Sequence, residues 1–197
     1  MDLSFPLKGG TYYIGGGGNS RWINNHNAFP PQDFALDILR LNSMGNRAWG
    51  IWPSELSAYT IYGDSVYSPC SEEIILAVDG FPDLTPPTRD SENPAGNHVV
   101  VSCKGVEALL AHLMAGSVAV SKNDTVDAGD IIGRVGNSGN TTQPHLHLHL
   151  ERNGPPGKIL NGDGVPATFN NRFLVRNSVF WGIGNENSLF RTHPGDK

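Results

Sequence analysis

The stretch QPHLHLHLE, Gln143 to Glu151, sets His145, His147 and His149 at every second position, three of the seven histidines in the chain. Imidazole is the side chain that both ligates metals and exchanges protons near neutral pH. A strand turns successive side chains to opposite faces, so the three imidazoles share one face and Leu146, Leu148 and Leu150 share the other. Imidazoles two positions apart sit roughly 6.6 Å apart along a strand, close enough to reach one small site. The period fits a buried strand with a metal-binding or catalytic edge. It equally fits a half-exposed strand with its histidines in water.

Other residues able to do chemistry are dispersed. His26 falls in a polar segment, SRWINNHNAFPPQ, where Pro30 and Pro31 argue against helix. Asp37 sits inside the apolar run DFALDILRL, where an unpartnered carboxylate would be costly to bury, while Asp33 follows PPQ at an edge. His112 lies in VEALLAHL, and Gly136 and Gly139 in GNSGN let the backbone pass close beside the histidine strand. His98, next to VVVS, reads as structural, orienting a loop, and His193 as a solvated tail residue. His149 reads as supporting the ligand shell of His147 or as partly exposed. A catalytic zinc ion (Zn2+) takes three protein ligands and keeps one position open, and histidine and aspartate are suitable donors. The chain offers such a set.

The elements that would position these groups are strands. The 197 residues suffice for one domain, 1–197, and 24 glycines with 14 prolines among ample apolar residues suit short strands joined by turns. GGTYYIGGGGN, DFALDILRL, EEIILAVDG, NHVVVSC and Ile131–Val135 read as strands. VEALLAHL has helical propensity but is short and lies between strands, so it too reads as a strand. Between Gly80 and Asn97 a proline-rich loop of about 16 residues is long enough to wall a groove. No internal repeat or domain-splitting linker is visible, and the segment after Glu151 is turn-rich. Cys70 and Cys103 flank strand-like runs at no zinc-finger spacing; a disulfide between them needs a Cα separation below about 7 Å, and free buried thiols are the alternative.

The formal charge of −5 and the lack of a dense Lys/Arg tract argue against nucleic acid as a partner. No apolar run is long enough to span a membrane, and the visible start carries no signal-like segment.

The loop histidine, the ALD aspartate, LLAHL and the ordered block GNSGNTTQPHLHLHL together resemble the lysostaphin-type (LytM-type) zinc endopeptidases, from about Gly9 to Glu151. The resemblance implies an all-β, mainly antiparallel fold of the duplicated hybrid motif type, with few or no helices and a groove floored by a sheet and walled by loops. Residues 152–197 would form a C-terminal extension. It implies zinc held by His26, Asp37 and His147, with His112 and His145 as unligated catalytic histidines. The implied reaction is amide hydrolysis by activated water in a monomer, on peptides of bacterial peptidoglycan cross-links. That substrate implies secretion or a place in the cell envelope, against the absence of a visible signal.

One departure matters: the family's first motif is commonly HxxxD, whereas ten residues separate His26 from Asp37. Asp37 is preferred over Asp33 because ligation would explain its apolar setting. Two other readings stay open, a zinc-retaining binding module of the same fold and a histidine phosphocarrier.

Overall fold

In the computed structural model, residues 1–155 and 158–182 are described, so His193 lies outside the described residues. Alternating burial and frequent turns give thirteen strands among the described residues: β1 (Asp2–Leu3), β2 (Gly10–Gly16), β3 (Leu36–Leu41), β4 (Ser65–Tyr67), β5 (Glu72–Val78), β6 (Asn97–Cys103), β7 (Val106–Leu113), β8 (Thr125–Val126), β9 (Ile131–Arg134), β10 (Leu146–Arg152), β11 (Asp163–Val165), β12 (Thr168–Phe169) and β13 (Val179–Gly182). The fold is all-β and mainly antiparallel, and among the described residues the only helical pieces are single 3-10 turns.

The main sheet runs β13-β2-β3-β10-β7-β6-β5-β8, with β11 also on β10, and every pairing in it is antiparallel. Strand β10 inserts between β3 and β7, partners that lie far from it in sequence. Its leucines Leu146, Leu148 and Leu150 are buried on the inner face beside Ile14, Ile38, Leu110 and Val99. Val66, Ile132 and Val135, from the β4–β9 pair and the residue after it, join that core, as do Leu3 and Phe169 of the parallel β1–β12 pair. The opposite face of β10 carries the histidines. Packing of one face on the small sheets therefore leaves the other to floor a groove.

VEALLAHL is a strand as expected. Pairing with β6 on one side and β10 on the other overrides its helical propensity, since both edges of its backbone are hydrogen-bonded. The polar segment differs from expectation: Asn25–Ala28 and Pro30–Gln32 form consecutive 3-10 turns. Prolines are tolerated there because the first turn of a helix needs no N–H from them. Among the described residues after Glu151, β11 pairs with β10 and β13 lies beside β2. Cys70 and Cys103 form a disulfide, with Cα atoms 5.9 Å apart, which ties the chain before β5 to the end of β6.

Candidate metal and catalytic centre

The centre lies where β3, β10 and β7 run side by side. Cross-strand register places His147 between Asp37 and Ala111, so the carboxylate and the imidazole are neighbours on one sheet face. Asp37 Oδ1 lies 3.0 Å from His147 Nδ1, and Gly16 on the adjacent strand leaves room for the carboxylate: a Cβ there would stand 2.8 Å from Asp37 Oδ2.

His26 arrives from the loop rather than from a strand. The buried Asn24 accepts the His26 N–H through Oδ1, and its Nδ2 donates toward the carbonyls of Gly18, Asp33 and Ala35 at 3.0–3.3 Å. This one amide closes the loop onto the start of β3 and aims His26 Nε2 at Asp37, 2.9 Å from Oδ2. Asp33 does not enter the cluster; its Oδ1 faces the side-chain amide of Asn27.

His145 and His112 approach from the other side. His145 Nδ1 donates to the Gln143 carbonyl at 2.9 Å, and His112 Nδ1 to the Ser138 carbonyl at 2.9 Å. With Nδ1 protonated in each, both Nε2 atoms carry the lone pair when the ring is neutral. The two rings stand 4.8 Å apart, and His145 Nε2 lies 3.4 Å from Asp37 Oδ1. His112 sits in the left-handed region (φ 62°), held there by its N–H to Ala95 O and its carbonyl to Gly136 N. Strain of this kind persists only where neighbours over-determine it. The GNSGN turn that supplies Ser138 packs tightly on the proline-rich loop: Gly139 has φ +85°, and a Cβ on it would stand 2.5 Å from Gly96 N.

Burial by itself would raise the Asp37 pKa, but the charge and hydrogen bond of His145, with hydrogen bonds from His147 and His26, hold it well below 3.8. For His145 burial opposes the charged form, yet Asp37 outweighs it and raises the pKa above 6.5. Burial, then repulsion from His145 and His147, pushes His112 well below 6.5. His149 is 1% exposed and is likewise driven well below 6.5, first by burial. Its Nδ1 lies 3.1 Å from His147 Nε2, so it can accept the proton that His147 carries when Nδ1 is the ligand atom. His98 hydrogen-bonds the Gly96 carbonyl at 2.7 Å, in keeping with a loop-orienting part.

Ligand atoms of His26, Asp37 and His147 all lie within 4.8 Å of one another, and a second group, His112, His145 and His147, meets the same limit. Two donors each about 2 Å from a tetrahedral ion stand about 3.3 Å apart, near the 2.9 and 3.0 Å contacts that Asp37 makes with His26 and His147. Two nitrogens and one carboxylate oxygen are also a donor set that zinc accepts. The residues fit the ion. Around them opens a groove of about 500 Å³ whose lining includes Phe29, Arg89, Ala95, Leu109, Ala111 and Leu160.

The groups that aim the imidazoles are largely invisible in the sequence. The Ser138 and Gln143 carbonyls leave no signature in side-chain type. Asn24, two residues before His26, did leave one, since asparagine commonly caps the backbone two positions on.

Residues 61–158, about half of the chain, match Peptidase family M23. That segment contains His112, His145 and His147 but neither His26 nor Asp37. The chain is 45% identical over 62 residues to the DD-carboxypeptidase/endopeptidase Mpg of Neisseria meningitidis serogroup B. The match covers 31% of this chain and 14% of that protein. Among solved structures, the M23 metalloprotease pseudoalterin from the deep sea is similar at 19% identity and a TM-score of 0.51, over 92% of this chain and 98% of that one. Lysostaphin from Staphylococcus simulans is similar at 21% identity and a TM-score of 0.46, over 77% and 47% of the two chains.

Proposed function

Because the chain belongs to peptidase family M23, of the lysostaphin and LytM type, we propose that it is a zinc-dependent endopeptidase that hydrolyses peptide bonds of bacterial peptidoglycan. The observation that carries this reading is the meeting of His26, Asp37 and His147 at ligand distance, with the Nε2 atoms of His112 and His145 turned toward the same groove. Zinc held by those three residues would supply a Lewis acid that acidifies a water and polarises a carbonyl.

The rest falls to side chains of this chain. Asp37, ionised throughout the neutral range, keeps His26 and His147 turned inward and offsets positive charge at the centre. His112, neutral near pH 7, has Nε2 free to accept the proton of an attacking water. His145, with a raised pKa, suits donation to the leaving amine and stabilisation of the oxyanion as the imidazolium. Ala111 and Leu109, both buried, give the groove an apolar floor beside these groups. Peptidoglycan as substrate draws support from the named activity of Mpg, and an oxidising compartment outside the cytoplasm draws support from the Cys70–Cys103 disulfide. The protein acts as a monomer in this reading.

The test joins metal analysis to cleavage. Purified protein should contain one zinc per chain, and it should release peptides from cross-linked wall fragments until a chelator removes the metal. Hydrolysis that survives complete zinc removal would overturn the reading.

A further inference from the structure

Glu151, the last residue of β10 on the histidine face, is 3% exposed, yet it carries a carboxylate that none of the catalytic chemistry uses. Its Oε1 accepts the Leu160 N–H at 3.0 Å, and its Oε2 accepts those of Asn161 and Gly162 at 3.1 and 2.9 Å. Three consecutive amides converging on one carboxylate form an anion-binding nest filled from within the chain. Leu160 is left-handed, with φ +63°, a conformation that a Cβ-bearing residue resists. The clamp keeps it there. Ile159 meanwhile packs on the second apolar cluster, Ala95, Val100, Leu109 and Ala111.

The consequence lies in the groove. Leu160 lines the same cavity as His112 and His147, together with Ala95, Leu109 and Ala111. Register sets Ala111 beside His147 and Leu109 beside His149, so the apolar floor extends about 6.6 Å along the strands from the centre. A bound peptide advances about 3.3 Å per residue when extended, so this stretch meets a side chain within two residues of the scissile bond. Ala95, Leu109, Ala111 and Leu160 offer that side chain no charge and no hydrogen bond.

We propose that this stretch is a specificity subsite for a small aliphatic side chain, alanine-like, with Leu160 as its wall and Glu151 as the positioning residue that sets the wall. The inference rests on the peptidase reading and names the substrate side chain the groove prefers.

Blocked tetra-alanine and blocked tetraglycine are the probes. Each is assayed for kcat and KM with zinc-loaded protein, and each is titrated onto zinc-loaded His112→Ala protein, in which turnover is removed. Wild type should favour tetra-alanine by about 10-fold or more in kcat/KM. Leu160→Gly, which relieves the left-handed strain, should hold or raise the melting temperature and keep zinc at one per chain, while the preference falls to within about 3-fold. Glu151→Gln, which leaves one acceptor for three amides, should raise KM for tetra-alanine about 5-fold with kcat within 2-fold. Equal handling of the two peptides by wild type, or an intact preference in Leu160→Gly, overturns the subsite. Tighter binding of tetra-alanine without cleavage of any peptide supports the subsite and fails the peptidase reading. Zinc-dependent cleavage without preference does the reverse.

Discussion

The two halves of the centre are assembled by different means. His147 comes from β10 and His145 from the residue just before that strand, so the two-residue period gives them a common face while flanking β3 and β7 fix the height of His147. His26 comes from a 3-10 turn with no strand to hold it, and reaches Asp37 only because Asn24 ties the loop to Gly18, Asp33 and Ala35. The match to Peptidase family M23 spans the first half and stops short of the second. A ladder position tolerates little variation in spacing, since a one-residue slip turns the side chain away. A loop position can be reached over different lengths of chain provided something closes the loop, so ten intervening residues can do the work that three do in the commoner motif.

Breaking each half in turn gives the largest effect. His147→Ala and His26→Ala should each lower zinc affinity by at least about 100-fold and remove hydrolysis, while Asp33→Asn leaves zinc binding unchanged; competition against a chelating dye measures all three. Full zinc affinity in His26→Ala would mean that the loop contributes no ligand.

His112→Ala and His145→Ala separate proton transfer from metal holding. Zinc content should stay at one per chain while kcat falls by about 10²–10⁴-fold, and metal loss equal to that of His147→Ala would overturn the division of roles. His149→Ala removes the acceptor for His147 Nε2 and should weaken zinc binding by about 10–100-fold, with calorimetric titration as the measurement.

The loop itself is probed by Asn24→Ala, which leaves buried carbonyls without donors at a cost of about 1–3 kcal/mol. Its counterpart, Ser138→Ala, removes a hydroxyl that links Asn97 N–H to Leu113 O but keeps the carbonyl that orients His112. Denaturant melts should show destabilisation in both, whereas zinc affinity should drop several-fold only in Asn24→Ala.

The smallest effect concerns the far wall. Asp90 accepts the N–H groups of Glu92 and Asn93 and the Asn93 side-chain amide, and these bonds, led by the side chain of Asn93, hold its pKa below 3.8. Because the folded value is depressed, its stabilisation is present above 3.8 and lost as pH falls through the lower folded value. The Asn93 side-chain resonances should therefore shift below pH 3.8 and hold steady above it, and constancy at lower pH would remove Asp90 from the wall.

Much of this was legible beforehand for particular reasons. The histidine strand declared itself because β periodicity is written in consecutive residues, and an all-β fold followed from short apolar runs between glycine and proline turns. Asp37 stood out because a carboxylate among Ala, Leu and Ile must be compensated. The 3-10 turns over Asn25–Gln32 were not legible, since prolines at a first turn look the same as prolines in an irregular loop. Nor were β11 and β13, segments of three and four residues that pair only because β10 and β2 offer open edges.

The sequence by itself determined which residues could do the chemistry and which face of β10 would carry it, because those depend on residue type and a local period. Only the tertiary structure decided that β10 lies between β3 and β7, that Asp37 rather than Asp33 faces the imidazoles, and that Glu151 clamps Leu160 over the groove. Each of those contacts joins residues by the path of the backbone through space. Register and loop closure set that path, and they are properties of the whole packed chain.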